Sequence, residues 1–137
     1  GAGYGYLSAQ LLAKNPGIVA LDLYEAEARA LELARGNLVA HAARVELAFH
    51  WHDVAQGLLA RYDAIVSNPP FHVGRADLPE LGRAFILAAA AALRPGGRFW
   101  LVANRHLAYE AALAQHFAQV RTVAMRDGFK VIEAVKA

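Results

Sequence analysis

Cysteine is absent from this chain of 137 residues. Disulfides and thiolate-held zinc are therefore excluded, and a reducing cytoplasm is the expected setting. Long apolar runs are scarce too. The longest alanine-rich stretch, residues 84–93, is too short to span a bilayer. No secretory leader is legible, and the chain starts abruptly on glycines. Internal repeats, linkers and low-complexity tails are missing as well. What remains is a chain that is 57% hydrophobic, enough for one globular domain with one core. Its formal charge of +2 and pI near 9.2 are compatible with a polyanionic partner without requiring one.

The most informative stretch is Ser67-Asn68-Pro69-Pro70-Phe71-His72. It follows an apolar run at residues 62–66 that reads as a buried strand. Two consecutive prolines then end the strand, because proline donates no ladder hydrogen bond. A polar amide, a stiff backbone and an aromatic ring thus meet at a strand's C-terminal end. In open α/β sheets, that edge is where ligands bind.

The chain opens on Gly1-Ala2-Gly3-Tyr4-Gly5, which runs into a helical pattern at residues 7–13. Glycine permits close backbone approach to a ligand and positive φ, and the helix N-terminus behind it offers free N–H groups. A strand at residues 18–23 places Asp22 at its end, about twenty residues after Gly1, the interval expected of a ribose-binding acid. The alternative reading of Asp22 is a helix N-cap. A helix from Glu25 to about His41 precedes a third strand at residues 45–49 and the segment His50-Trp51-His52-Asp53. The two histidines have no further ligands close by in sequence and read as structural or surface residues. Asp53, on the same edge as Asp22, is placed to accept from an adenine amine.

The rest alternates: a strand at 62–67, an alanine-rich helix at 79–93, an Arg94-Pro95-Gly96-Gly97 turn and a strand at 98–103. A helix at 106–117 and strands at 119–125 and 129–136 follow, joined by Arg126-Asp127-Gly128. This order predicts a doubly wound, Rossmann-like α/β sheet ending in an antiparallel hairpin. The strand that should precede the glycine loop is missing. The expected sheet therefore has unpaired edges, and the chain is expected to be a C-terminal fragment of a longer protein.

These residues resemble the class I S-adenosylmethionine-dependent methyltransferases. The glycines Gly1, Gly3 and Gly5 look like the cofactor loop. Asp22 with Leu23 looks like the ribose site, and Asp53 with Val54 like the adenine site. Asn68-Pro69-Pro70-Phe71 looks like the motif of amino-group methyltransferases. The Ser67–His72 stretch, Arg94-Pro95-Gly96-Gly97, the run from Leu101 to Glu110, and Phe129-Lys130-Val131 narrow the likeness. They resemble the bacterial guanine-N2 methyltransferases of ribosomal RNA, both the type C enzymes that act on the small ribosomal subunit and their type G relatives that act on the large one. The resemblance implies S-adenosylmethionine as cofactor and ribosomal RNA or the small ribosomal subunit as partner, with neither metal nor membrane involved.

The chemistry fits the residue types. An exocyclic base amine is a poor nucleophile because its lone pair is delocalised into the ring. The Asn68 side-chain oxygen and the Pro69 carbonyl can each accept one amine hydrogen and aim the lone pair at a methyl donor, with Pro70 stiffening the turn. Phe71 can stack on a flipped or single-stranded base. His72, Arg75 and Arg105 are candidates for contact with RNA, the last through a phosphate. The same acceptors would serve adenine N6 or a glutamine amide. A non-catalytic RNA-binding domain of this fold is the rival of a different class.

Overall fold

The computed structural model describes every residue except 71, 74, 75 and 78, and for residues 72, 73, 76, 77 and 79 the backbone alone. Two compact units result, Gly1–Val54 and Ala55–Ala137.

The first unit runs α1 (Tyr6–Lys14), β1 (Ala20–Glu25), α2 (Ala28–Leu38) and β2 (Glu46–Trp51), with a short 3-10 turn at Val39–His41. β1 and β2 are parallel, with Asp22 opposite Ala48 and Tyr24 opposite His50. Side chains alternate across a sheet. Leu21 and Leu23 of β1, with Leu47 and Phe49 of β2, accordingly pack with Leu12 of α1 and Ala34 and Leu38 of α2. Asp22, Tyr24 and His50 belong to the other face. β1 outruns the strand expected at residues 18–23: it starts at Ala20 and continues to Glu25. The reason is pairing. Parallel partners in β2 extend as far as Trp51, opposite Glu25, and hold the chain extended where helical periodicity alone suggests a helix start. The helix begins only at Ala28, after a capping position at Glu27.

The second unit holds β3 (Tyr62–Ser67), a small antiparallel pair of β4 (His72–Val73) and β5 (Ala76–Asp77), and α3 (Pro79–Ala92). β6 (Leu93–Asn104), α4 (Glu110–His116), β7 (Gln119–Arg126) and β8 (Phe129–Val135) follow. The strands order as β3-β6-β8-β7, with β3 parallel to β6 and the last two antiparallel. The expected hairpin is there, and Asp127 and Gly128 at its turn both take positive φ, 52° and 80°. That is the backbone twist two-residue hairpins favour. Two boundaries differ from the sequence pattern. β6 absorbs the Arg94-Pro95-Gly96-Gly97 turn, because Tyr62 already pairs with Leu93 before an irregularity resets the register at Ala64 and Arg98. α4 begins at Glu110 rather than 106, because residues 105–109 are tied to the β7–β8 hairpin instead of coiling. Among the described strands, β1 pairs only with β2, and β3 only with β6.

The core of this unit gathers Ile86 and Ala89 of α3, Phe99 and Leu101 of β6, Leu113 of α4 and Ile132 of β8. Alanine on α3 lets the helix lie close to the sheet. Gly82 takes this furthest: a Cβ there would run into the Tyr109 ring and hydroxyl. Overpacking of this kind costs about 1–3 kcal/mol. Gly82→Ala is thus expected to lower the unfolding free energy by that margin in urea titrations, and an unchanged midpoint would show that Tyr109 can move away.

Across the sheet, Glu133 of β8 is 7% exposed and bonded by Arg121 of β7 at 2.9 Å and Arg98 of β6 at 3.0 Å. The Arg121 guanidinium, with Arg98 after it, outweighs desolvation and holds this carboxyl below its usual value. The unfolded chain then binds the proton first as pH falls, so this stabilisation is present above the ordinary carboxylate pKa of about 4.3 and is lost below it. Denaturant titrations from pH 6 down to pH 3 should show Glu133→Gln flattening this acid-side loss.

Candidate functional site

In the first unit the glycine loop has the backbone its residues suggest. Gly3 and Gly5 take φ of 58° and 94°. Gly5 lies against α2: a Cβ there would come within 3.3 Å of the Ala34 Cβ. Nothing lies within 4 Å of a Cβ built on Gly3, so the loop is open on that side. The start of the chain lies against β1, with the Ala2 N–H donating to the Tyr24 carbonyl at 2.9 Å. Asn37 of α2 donates through Nδ2 to the Tyr4 carbonyl and pins the loop from behind. Gly5 caps α1 in the left-handed conformation without a side-chain cap, leaving N–H groups of the first turn unpaired by a cap.

The acid at the end of β1 is Glu25, not Asp22. The Glu25 carboxylate accepts from the Gly3 N–H and from the Glu27 N–H, both at 2.8 Å, so it stands at the glycine loop. Asp22 is mid-strand and on the opposite face, its Oδ2 3.4 Å from the His50 Nε2. Spacing from the glycines pointed at Asp22 because counting residues does not reveal how far pairing carries a strand. The signal for Glu25 was its position just before the helix. Leu23 is 2% exposed and its side chain belongs to the core, which leaves only its backbone for a ligand. Asp53 is exposed two residues beyond β2, and Val54 beside it is buried. His50 stacks on Tyr24 with ring centroids 4.6 Å apart, and His52 meets the same ring edge-on. This is the structural role their alternation suggests. Among the described residues, no group of three or more His, Asp or Glu is arranged to hold a metal ion. Among them, too, no helix is long and apolar enough to cross a membrane.

In the second unit, β3 ends at Ser67, opposite Leu101 of β6. Asn68 is exposed, Pro69 is buried and Pro70 is exposed again. The residue before a proline is pushed to extended backbone, and here that applies to both Asn68 and Pro69. The Pro69 carbonyl therefore has little freedom to turn. Phe71 and Arg75 lie outside the described residues, and His72 is described only as backbone in β4. Ser67 Oγ is buried without a hydrogen-bond partner among the described residues.

The same edge of this unit carries the end of β6 and the beginning of β8. Asn104 is opposite Phe129, and Ala103 opposite Lys130. Arg105 and His106 are exposed just beyond Asn104, so Arg105 shares an edge with Asn68 as the sequence suggests. Lys130 went unassigned in the sequence and is 5% exposed here. Its Nζ donates to the Leu107 carbonyl and to Glu110 Oε1. Desolvation, the largest single influence, would raise the Glu110 carboxyl, but the Lys130 bond, a bond from its own backbone and the Lys130 charge together outweigh it and the net shift is downward. At the opposite end of β3, Leu58, Ala60, Arg61, Ala88 and Ala91 line a shallow cavity of about 320 Å³ that takes in none of the residues singled out in the sequence.

A glycine loop with an acid at the next strand's end, and an Asn-Pro-Pro strand terminus, thus occur in the same α/β chain. The chain belongs to the methyltransferase small domain family, whose model matches residues 1–133. It is 37% identical over 136 residues to ribosomal RNA small subunit methyltransferase C of Shewanella halifaxensis, covering 99% of this chain and 39% of that protein. It is 36% identical over 131 residues to ribosomal RNA large subunit methyltransferase G of Alcanivorax borkumensis, covering 96% of this chain and 33% of that protein. A solved structure of a T. thermophilus 16S rRNA N2 methyltransferase, in complex with AdoMet and guanosine, superposes with a TM-score of 0.84 at 37% identity. That match covers 100% of this chain and 36% of the other. The chain thus spans less than two fifths of the length of these relatives.

Proposed function

We propose that the chain carries out S-adenosylmethionine-dependent methylation of guanine N2 in 16S ribosomal RNA, in the cytoplasm, on free RNA or the small ribosomal subunit. The observation that carries this reading is the Asn68-Pro69-Pro70 terminus of β3, exposed at Asn68. It occurs in a chain 37% identical to a protein solved with AdoMet and guanosine.

The first unit supplies the cofactor residues. The open loop at Gly3, the uncapped start of α1 and the Glu25 carboxylate suit a nucleoside with a charged tail. Gly1, Gly3 and Gly5 let the backbone approach it. Glu25 takes the ribose hydroxyls that spacing assigned to Asp22, and Asp53 with the Val54 backbone takes the adenine. When bound, S-adenosylmethionine supplies an electrophilic methyl on a sulfonium that leaves as a neutral thioether.

The second unit supplies the amine residues. Asn68 Oδ1 and the Pro69 carbonyl each accept one hydrogen of the guanine amine, leaving its lone pair free to point at the methyl donor. Pro70 removes a competing N–H and, with buried Pro69, holds that carbonyl in place before the substrate arrives. Phe71 stacks on the extruded base. His72, Arg75 and Arg105 contact the RNA beside it.

Transfer of labelled methyl groups to 16S RNA, followed by digestion to nucleosides, tests this reading. N2-methylguanosine is the expected product, whereas label in N6-methyladenosine or in a protein glutamine would overturn it. Asn68→Ala should lower kcat by roughly 10²–10³ with cofactor affinity intact, the range seen when one preorganised polar group is removed. RNA binding and biological effect that persist unchanged without methylation would favour the binding-module alternative. For the cofactor, calorimetry should show Glu25→Gln weakening S-adenosylmethionine binding by about tenfold, the worth of roughly one charge-assisted hydrogen bond, with Asp22→Asn changing it far less. The reverse order would return the ribose to Asp22.

A further inference from the structure

The Phe129-Lys130-Val131 segment has no part in holding either cofactor or amine, yet it contains a buried cation. A buried ammonium is costly unless it is paired and hydrogen-bonded. Lys130, 5% exposed, meets that condition with two acceptors, the Leu107 carbonyl and Glu110 Oε1. The core of this unit, with Leu101, Leu113 and Ile132, is apolar. For stability alone, replacing both partners of a buried ion pair by apolar side chains is often neutral or better. The charge calls for another reason.

That reason lies in what the two acceptors belong to. Residues 105–109 are in neither helix nor strand. They leave the edge at Asn104 and return to α4 at Glu110. Three ties hold them: the Arg105 N–H donates to the Gly128 carbonyl at 2.8 Å, the Leu107 N–H to the Asn104 carbonyl at 3.1 Å, and Lys130 reaches Leu107 and Glu110 from β8. Lys130 thereby joins β8 to both the loop and the first residue of α4. Arg105 and His106, exposed between these ties, stand on the edge that carries Asn68.

We propose that Lys130 is a positioning residue for RNA: by clamping Leu107 and Glu110 it fixes the loop that presents Arg105 and His106 to the phosphate backbone of the substrate. This rests on the reading that the Asn68 edge accepts RNA. Lys130 touches neither the methyl donor nor the target amine, so its effect belongs to substrate binding rather than to the chemical step.

The test uses the full-length protein, with wild type, Lys130→Met and Lys130→Arg assayed for methyl transfer to 16S RNA across RNA concentrations. Lys130→Met is expected to raise KM for RNA about fivefold or more, with kcat and the S-adenosylmethionine dissociation constant each within about twofold. Lys130→Arg, which keeps the charge, should recover part of the loss. Hydrogen exchange supplies a readout independent of activity: the Arg105 and Leu107 amides should exchange roughly tenfold faster in Lys130→Met, while those of Phe99 and Leu101 stay protected. An unchanged KM with a lower apparent kcat would mean that Lys130 only maintains the folded fraction, and would overturn the proposal. So would unaltered exchange at residues 105 and 107. Should Lys130→Met fail to fold, shown by lost protection at Phe99, Glu110→Gln, which weakens the half-exposed partner of the clamp, decides by the same KM and exchange criteria. A wild-type protein that methylates no RNA would instead overturn the underlying reading of the Asn68 edge.

Discussion

The second unit depends on the parallel pairing of β3 with β6 and on where that pairing stops. Ser67 opposite Leu101 is the last rung, because the residues that follow Asn68 are two prolines, which have no N–H to give a ladder. β6 has no such limit and goes on to Asn104, held on its other side by β8. One strand therefore ends early beside a neighbour that continues. The step between them exposes Asn68 while Pro69 stays anchored in the interior. On the proposed reading, this step is what holds two acceptors in place for an amine with a delocalised lone pair.

The same logic of strand length operates in the first unit with the opposite outcome. β1 runs further than its apolar residues suggest because β2 supplies partners as far as Trp51. The longer strand moves the terminal acid three residues on, from Asp22 to Glu25, and, because side chains alternate, from one face of the sheet to the other. Asp22 is left beside His50, which stacks on the Tyr24 ring, while Glu25 meets the Gly3 N–H. The sequence alone points to Asp22. A difference of three residues decides which one reaches the loop.

Polar groups in the interior are few and specifically answered. Glu133 bridges three strands through Arg98 and Arg121, and Lys130 ties β8 to the loop before α4. Both lie on β8, an interior strand with β6 on one side and β7 on the other. Exceptions remain: the hydroxyls of Ser67 and Tyr109 are buried without a partner among the described residues, and burial pushes the pKa of Tyr109 up. Its ring fills the space left by Gly82, so packing rather than hydrogen bonding holds it there.

Much of this was legible in the sequence. The alternation of apolar runs, the Asp127-Gly128 turn and the double proline specify strands, hairpin and strand terminus through local backbone preferences, which need no knowledge of neighbours. The glycine loop, Asn68 and Pro69 were recognisable for the same reason. What the sequence left open depends on partners distant in the chain: that β1 ends at Glu25, that Leu23 is core, that α4 starts late and that Lys130 is buried against Leu107. These are matters of pairing register and of which acceptor a long side chain can reach. Residue types and local spacing determine where a strand breaks. Only the tertiary structure decides where an unbroken strand stops and which side chains it carries to the edge.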